Sequence, residues 1–174
     1  IEAGIERVVY CVSDPGPDSA GGAKVLSQAG VSVVGGVEQE AGEKLIERWL
    51  VSSRLQRPWV SLKWAMSLDG RSAATDGTSQ WITGEKTRAR VHSQRSDHDA
   101  IAVGTNTALV DNPSLTARQP DGTLYEHQPL AVVAGQRDIA GDALIRRHPG
   151  GFLQHHSHDL RELASELFGR GIRS

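Results

Sequence analysis

Cationic, hydroxyl and carboxylate side chains lie between residues 57 and 118 at the points where we expect strands and helices to end. They are Lys63, Ser79, Arg95, Thr107, Asp111 and Arg118. Open α/β sheets place their ligand sites at such ends, and loops carry many of the residues that bind and react. Because a guanidinium binds phosphate through a planar fork of donors, this pattern indicates a site for a nucleotide or another phosphorylated small molecule.

The segment Gly104-Thr105-Asn106-Thr107 is the best local candidate for contact with a cofactor. It follows a predicted buried strand and precedes a short helical turn, so it offers backbone N–H groups and hydroxyls to a phosphate or a ribose. Asp111 lies close to these threonines in sequence and either closes a turn or accepts a hydrogen bond. Arg118 would bring a second fixed cation to the same neighbourhood.

Three further residues allow more than one interpretation. Lys63 lies in an otherwise apolar predicted strand, where its ammonium must reach solvent, pair with an acid or contact a ligand. Arg95 ends a predicted helix and either binds phosphate or complements the helix dipole. Trp81 lies in a loop rich in Gly, Ser and Thr and either fills the core or stacks on a planar ring. The residues alone leave these alternatives open.

The histidines near the C-terminus and the single cysteine do not predict a metal site. The histidines are His148, His155, His156 and His158. No cysteine accompanies them, and Pro149-Gly150-Gly151 indicates a loose loop, so we expect them to be solvated. Cys11 lies in an apolar run, where we expect a small buried side chain, and an unpaired cysteine fits a reducing cytoplasm.

Length and composition limit the number of domains and the kinds of partner that the chain can have. At 174 residues and 18.7 kDa the chain has room for one full domain or parts of two. Its 19 basic and 21 acidic residues give a net charge of -2, which provides no overall field to attract nucleic acid or an anionic membrane. No apolar run approaches the roughly 20 residues of a transmembrane helix. We therefore expect a soluble cytoplasmic protein with a small-molecule substrate and no nucleic-acid or membrane partner.

The elements that must position these residues alternate between strand and helix. Before the junction at Gln56-Arg57-Pro58, the pattern predicts a short buried strand at Val8 to Val12, a helix at Ala23 to Ala29, a second strand at Val31 to Val34 and an amphipathic helix at Glu38 to Leu55. The first three form a βαβ unit, so its strands should be parallel.

After the junction the alternation continues. The pattern predicts strands at Trp59 to Trp64, Asp99 to Val103 and Leu130 to Ala134, a helix at Glu85 to Arg95, and a final helix with a stripe from Leu160 to Phe168, capped by Ser157 or Asp159 and ended by Gly169. The fold class is therefore α/β, with a mostly parallel sheet flanked by helices. Both ends look like parts of elements that continue, so we expect the domains to be incomplete there.

Taken in order, several short motifs resemble one known family. They are Lys63-x-Ala65-Met66-Ser67-Leu68-Asp69-Gly70-Arg71, Ser79-Gln80-Trp81-Ile82-Thr83, Arg95, Asp99-Ala100-Ile101, Val103-Gly104-Thr105-x-Thr107 and Asp111-x-Pro113-x-Leu115-Thr116-x-Arg118. Together they resemble the bifunctional riboflavin-biosynthesis deaminase/reductase family. The resemblance spans essentially the whole chain. Residues 1–56 resemble the C-terminal part of its cytidine-deaminase-like domain with a linker helix, and residues 57–174 the first part of its dihydrofolate-reductase-like domain.

The resemblance implies an NADPH-dependent reduction of 5-amino-6-(5-phosphoribosylamino)uracil to the ribitylamino product. Residues on substrate-binding positions of the family are Ser79, Arg95, Leu115 and Arg118. Residues on NADP-binding positions are Ala65, Trp81, Thr107 and Asp111. Lys63 and Asp111 are the candidates for polarising the opening sugar or relaying a proton. The family also implies a homo-oligomer, most commonly a dimer.

Three departures from the family limit what the chain is expected to do alone. Asn112 replaces the acidic residue that usually follows the equivalent of Asp111. The zinc-deaminase signature, H-x-E followed by a pair of cysteines, is absent, so deamination and its zinc would belong to a part of the protein outside this sequence. A glycine-rich Glu-Gly-Gly segment of the cofactor site is missing too. The alternatives are a non-catalytic nucleotide-binding or interface module and a protein that is only a deaminase.

Overall fold

The computed structural model describes residues 1–16, 19–157 and 159–173. These residues divide into two compact units, Ile1–Trp59 together with Arg173, and Val60–Ile172. Each unit combines parallel strands with helices, as the α/β pattern predicts. The assignment of residues 1–56 to a deaminase domain and of 57–174 to a reductase domain stays a prediction.

The first unit contains the βαβ arrangement that the sequence predicts. Strand β1 (Arg7–Tyr10) pairs in parallel with strand β2 (Ser32–Gly35), and helix α1 (Gly22–Gln28) connects them. Gly30 adopts a φ of +87°, which lets the chain turn back after the helix. The prediction that the first of these strands is buried is wrong, because Val9 remains 51% exposed.

Two predictions about the rest of this unit are wrong. The helix predicted from Glu38 to Leu55 is two helices, α2 (Gln39–Leu45) and α3 (Glu47–Leu55), because the φ of Ile46 is -110° and interrupts the helical backbone. Cys11 is exposed and carries a free thiol. It follows the last residue of β1, so its side chain has left the strand that would have buried it.

The second unit is built on a parallel sheet of strands β3 (Ala100–Gly104), β4 (Leu130–Ala134) and β5 (Phe152–His155), in that order. Helices α4 (Glu85–Ser96) and α5 (Thr105–Asp111) flank β3 in sequence, and α6 (Leu160–Gly169) follows β5. The predicted final helix is confirmed, and Asp159 caps it by accepting a hydrogen bond from the N–H of Arg161 at 2.8 Å.

Both faces of β4 are covered, which explains why its residues form a continuous apolar run. Ala131 and Val133 belong to a core cluster on one face, together with Ala108 of α5 and Ile145. Val132 points to the other face and belongs to a cluster with two leucines of α6, Leu163 and Leu167. All three β4 side chains have an exposure of 0%.

The strand predicted at Trp59 to Trp64 is not present. Alternation of polar and apolar residues is not sufficient for a strand, because a ladder of hydrogen bonds to a neighbouring strand is also needed. The described part of the chain does not pair with this segment as a strand, and Val60, Leu62 and Trp64 are 65%, 81% and 65% exposed.

The histidine-rich segment is more ordered than predicted. Residues Phe152–His155 form strand β5, which pairs in parallel with β4. His148 is buried with 6% exposure, and His155 is half-buried. The prediction of solvated loop histidines is therefore wrong for these two. For His155 the reason is that a four-residue strand between a Pro-Gly-Gly turn and a helix cap gives little sequence signal. His156 is exposed, and His158 lies outside the described residues.

Candidate active site

Thr116 joins the two arginines that the sequence singles out. The guanidinium of Arg95, on α4, donates from Nη1 to the carbonyl oxygen of Thr116 at 2.8 Å. The guanidinium of Arg118 donates from Nε to the hydroxyl of Thr116 at 2.8 Å and from Nη2 to the hydroxyl of Ser114. Residues that lie 21 positions apart in sequence therefore meet in one cationic group.

The loop that carries this group is held in a defined conformation. Asn112 and Leu115 have left-handed backbones, with φ values of 41° and 54°. The Asn112 side chain accepts a hydrogen bond from the N–H of Leu144 at 3.0 Å. Gln128 bonds both backbone groups of Ala117, accepting from its N–H at 2.9 Å and donating to its carbonyl at 2.8 Å. These contacts fix the backbone from which Arg118 projects.

Carboxylates of the described residues do not compensate the charge of the group. Within residues 1–16, 19–157 and 159–173, neither Arg95 nor Arg118 forms an ion pair with Asp or Glu. Burial and then the charge of Arg118 lower the pKa of Arg95. The Nε of Arg95 is buried without a hydrogen-bond partner in this part of the chain. Because a buried donor without a partner is costly, the group is suited to an anionic ligand.

Two histidines complete the surroundings of Arg95. His92 lies one helical turn before it, with Nδ1 3.2 Å from the Thr116 carbonyl and 3.3 Å from the backbone nitrogen of Arg118. His148 accepts a hydrogen bond at Nδ1 from the N–H of Gly150 at 3.1 Å. Burial is the main cause that lowers the pKa of each histidine, and the charge of Arg95 acts in the same direction. Both are therefore neutral at pH 7.

Sequence analysis missed Ser114, Thr116, His92 and His148. Two sequence spacings could have identified the first three of these residues. Ser114 and Thr116 precede Arg118 by four and two residues, which suits short-range contacts to its side chain. His92 precedes Arg95 by three residues, which places both on one helix face. His148 was expected to be solvated, because its burial and its closeness to Arg95 arise from tertiary packing.

Thr107 and Asp111 lie on α5, which begins directly after β3, as predicted for the Gly/Thr segment. They are four residues apart and so project from the same helix face. Both are exposed, and neither side chain forms a hydrogen bond or ion pair within the described part of the chain. An ideal Cβ on Gly104 would have no heavy atom within 4 Å, so space is open beside this backbone. These features leave room and polar groups for a ligand.

Next to α5, the chain turns sharply after β4. Gly135 has a φ of +136°, and an ideal Cβ there would lie 2.9 Å from Oγ1 and Cγ2 of Thr105. Only glycine fits this close approach without strain. The carboxyl ends of β3 and β4 therefore come together tightly at the start of α5.

Most of the remaining predicted site residues have side chains that solvent or a ligand can reach, and one lies in the core. Lys63 and Ser79 are exposed, Ala65 is half-buried, and the ring of Trp81 is 70% exposed, with the Arg88 guanidinium 4.3 Å from its centroid. Trp81 therefore does not fill the core. The Leu115 side chain does lie in the core cluster, so its backbone is the part left for a ligand. No hydrogen bond in the described chain joins Lys63 to Asp111.

In the described ranges, no group of three or more His, Cys, Asp or Glu residues is arranged to hold a metal ion. Across the same residues, no helix has the length and apolar character that crossing a bilayer requires.

The parallel sheet, the open start of α5 and the paired arginines define an α/β protein suited to a phosphorylated ligand. The family model described as the RibD C-terminal domain matches residues 58–157, more than half of the chain. The chain belongs to the RibD family.

Curated relatives and solved structures agree with this assignment. The chain is 51% identical to the riboflavin biosynthesis protein RibD of Corynebacterium ammoniagenes, covering 99% of this chain and 51% of that protein. It is 46% identical to RibD of Mycobacterium tuberculosis H37Rv, covering 98% and 50%. The chain thus spans about half the length of the curated relatives it matches.

Among solved structures, similarity is high with a diaminohydroxyphosphoribosylaminopyrimidine deaminase/5-amino-6-(5-phosphoribosylamino)uracil reductase from Thermotoga maritima. The TM-score is 0.84 at 30% identity, and the match covers 98% of this chain and 53% of the other. Form 1 of Acinetobacter baumannii RibD gives the same TM-score and identity.

Proposed function

We propose that this chain provides part of the active site that reduces 5-amino-6-(5-phosphoribosylamino)uracil to its ribitylamino product with NADPH, in riboflavin biosynthesis. The single observation that carries the proposal is the Arg95–Thr116–Arg118 group, two guanidiniums linked through one residue and without an ion pair to any carboxylate of the described residues. The name of the Thermotoga maritima neighbour supplies the reaction.

In this proposal the arginine group binds the phosphate of the substrate. A phosphate oxygen would satisfy the buried Nε of Arg95, and the Arg118 guanidinium, already oriented by Ser114 and Thr116, would provide the second cation. Charge-assisted hydrogen bonds of this kind are stronger than neutral ones and fix geometry. Anchoring the phosphate would orient the ribose carbon that reacts. Ser79 and the Leu115 backbone stay candidate contacts for the rest of the substrate.

The chain's residues fit an NADPH site at the start of α5. Thr107 and Asp111 have polar side chains available on one helix face, and the open space beside Gly104 would let a ligand approach the backbone. Ala65 and the exposed ring of Trp81 stay candidate contacts for the cofactor. When bound, NADPH supplies a hydride. The proposal does not depend on which part of NADPH each residue contacts.

The chemistry requires one proton in addition to the hydride. The C1′–O4′ bond of the ribose breaks, O4′ takes the proton from the linking nitrogen, and a C1′=N bond forms. Hydride addition at C1′ with protonation of that nitrogen then gives the ribityl amine. Lys63 and Asp111 are the candidates for polarising the opening sugar or transferring this proton, since both are exposed and make no side-chain hydrogen bond in the described chain.

The wider activity belongs to the whole protein. Relatives about twice as long as this chain leave room for zinc-dependent deamination outside it, and dimer formation and a cytoplasmic location are part of the same proposal. The alternative function is a module that binds a nucleotide or a partner without catalysing a reaction. It would be supported if the natural protein bound NADPH but never oxidised it with the substrate present.

NADPH binding tests the cofactor half of the proposal. We expect Thr107→Val and Asp111→Asn each to weaken NADPH binding by about 10-fold in a calorimetric titration of the full-length natural protein, because each removes one hydrogen-bonding or charged contact. Glu162→Gln is the matched control, since Glu162 is exposed on α6, which packs on the opposite face of the sheet from α5. Unchanged affinity in both variants would contradict this placement of the cofactor.

A further inference from the structure

His92 has two possible hydrogen-bond partners at a single ring atom. Its Nδ1 lies 3.2 Å from the carbonyl oxygen of Thr116 and 3.3 Å from the backbone nitrogen of Arg118. A ring nitrogen that carries a proton can donate to the carbonyl, whereas a ring nitrogen without one can accept from the N–H. The two bonds therefore exclude each other, and the proton on the ring decides between them.

The other hydrogen bonds available to the Thr116 carbonyl and to the Arg118 N–H favour the bond from His92 to Arg118. The Thr116 carbonyl already accepts a shorter hydrogen bond, 2.8 Å long, from the charged Arg95 guanidinium. Among the described residues, the acceptor for the N–H of Arg118 is Nδ1 of His92. The Thr116 carbonyl is satisfied by Arg95 in either case, whereas the Arg118 N–H loses this acceptor if His92 turns to the carbonyl.

The charges around the ring favour the same state. The charged groups acting on His92 are Arg95, from its own helix, and Arg118, from the loop packed against that helix. Burial and both of these cations lower the pKa of His92, whereas the Thr116 carbonyl raises it, and the net shift is downward. The ring is therefore neutral at pH 7, with the proton free to reside on Nε2.

We propose that neutral His92 is a positioning residue, which accepts the backbone N–H of Arg118 at Nδ1 and so holds the guanidinium over the hydroxyls of Ser114 and Thr116. Protonation at Nδ1 replaces this bond with one to the Thr116 carbonyl and adds a third positive charge beside Arg95. Arg118 then loses the hydrogen bond at its own N–H, while the contacts of Gln128 to Ala117 remain. This inference rests on the proposed function, because it assigns the positioning to a phosphate-binding arginine.

The effect should appear in KM rather than in kcat, since His92 acts on binding of the phosphate and touches neither the reacting carbon nor the cofactor. KM for the phosphorylated substrate is expected to be constant while His92 is neutral and to rise as the pH falls through its lowered pKa. The substrate phosphate titrates in a similar range. A variant without a titrating group at position 92 separates the two effects, because the substrate is the same in both experiments.

Two substitutions in the full-length natural protein test the proposal by steady-state kinetics. His92→Leu removes the acceptor, and we expect KM for the substrate to rise by about 10-fold at neutral pH with kcat within about twofold, the size of one lost hydrogen bond. His92→Asn places an acceptor near the position of Nδ1 but does not titrate. We expect it to restore KM at neutral pH and to show a smaller rise in KM on acidification. An unchanged KM in His92→Leu, or an unchanged pH profile in His92→Asn, would overturn the proposal.

A second measurement does not depend on catalysis. Nitrogen-15 NMR of the histidine rings in the substrate-free protein reports which ring nitrogen carries the proton. We expect His92 to be neutral with the proton on Nε2 at pH 7, and a proton on Nδ1 would refute the proposal. If the natural protein and all variants fail to consume NADPH, the proposed function fails, while the ring spectrum still decides how His92 holds the Arg118 backbone.

Discussion

Thr116 uses its carbonyl for Arg95 and its hydroxyl for Arg118, so a residue without charge organises a group of two guanidiniums. Sequence patterns identified both arginines because phosphate chemistry requires their side chains. They did not identify Thr116, because a backbone carbonyl is present at every residue and its contacts depend on tertiary structure. The family resemblance pointed to both arginines and to Leu115. The structure adds the groups that hold these residues in place.

Replacing Thr116 should separate its two contacts. Thr116→Val keeps the carbonyl that binds Arg95 and removes the hydroxyl that binds Nε of Arg118. We expect KM for the phosphorylated substrate to rise by about 10-fold or more, since a hydrogen bond to a charged group contributes about 1.5 to 3 kcal/mol. Thr116→Ser retains the hydroxyl and should stay within about twofold of the natural protein. Equal KM values for the two variants would show that this hydroxyl does not orient Arg118.

His148 should make stability depend on pH. Its pKa in the folded protein is lowered, mainly by burial, so its neutral state stabilises the fold above the ordinary histidine pKa of about 6.5. That contribution is lost as the pH falls below this value toward the lowered pKa. His148→Asn keeps an acceptor for the Gly150 N–H, as in an Asx turn, and cannot titrate.

The measurement is urea unfolding of the natural protein and the variant at several pH values between 7 and 5. We expect the free energy of unfolding to fall less on acidification in His148→Asn. The fall should not vanish, because the lowered pKa of His92 acts in the same direction. A parallel fall in both proteins would contradict the role assigned to His148.

At the scale of elements, predictions succeeded where the sequence carried a long periodic stripe or an uninterrupted apolar run. The apolar runs of β3 and β4 and the stripe of α6 placed those elements correctly. Predictions failed at Trp59 to Trp64, where alternation lacked a pairing neighbour, and at β5, whose four residues are too short for a periodic signal. The prediction of one continuous helix through Ile46 failed for another reason. No Gly or Pro in the sequence marks the interruption there.

The turn after β4 provides an element-scale prediction. Gly135→Ala would force a side chain into a φ of +136° and place its Cβ 2.9 Å from Thr105, at the start of α5. We expect the free energy of unfolding to fall by roughly 2 kcal/mol or more. Gly141→Ala is the matched control, since a Cβ there meets nothing within 4 Å and its φ is not in the left-handed region. Similar stabilities of the two variants in denaturant titrations would contradict the close approach described for β3 and β4.

At the scale of the whole molecule, two compact units of α/β structure belong to one protein family, and the chain spans about half the length of the relatives it matches. The sequence motifs indicated that family because they form an ordered set between Lys63 and Arg118. They could not indicate how Lys63, Asp111 and the arginine group act together, since that depends on residues far apart in sequence and on ligands.

The central claim is that the Arg95–Thr116–Arg118 group binds the phosphate of a pyrimidine substrate that is reduced by NADPH. The most direct test is NADPH consumption by the full-length natural protein, measured with the phosphorylated substrate and with its dephosphorylated form. We predict turnover with the phosphorylated form and a KM at least about 30-fold higher without the phosphate, as expected for losing about 2 kcal/mol of charge-assisted binding. In Arg95→Met the two KM values should converge. No NADPH consumption with either form, or full discrimination by Arg95→Met, would contradict the account.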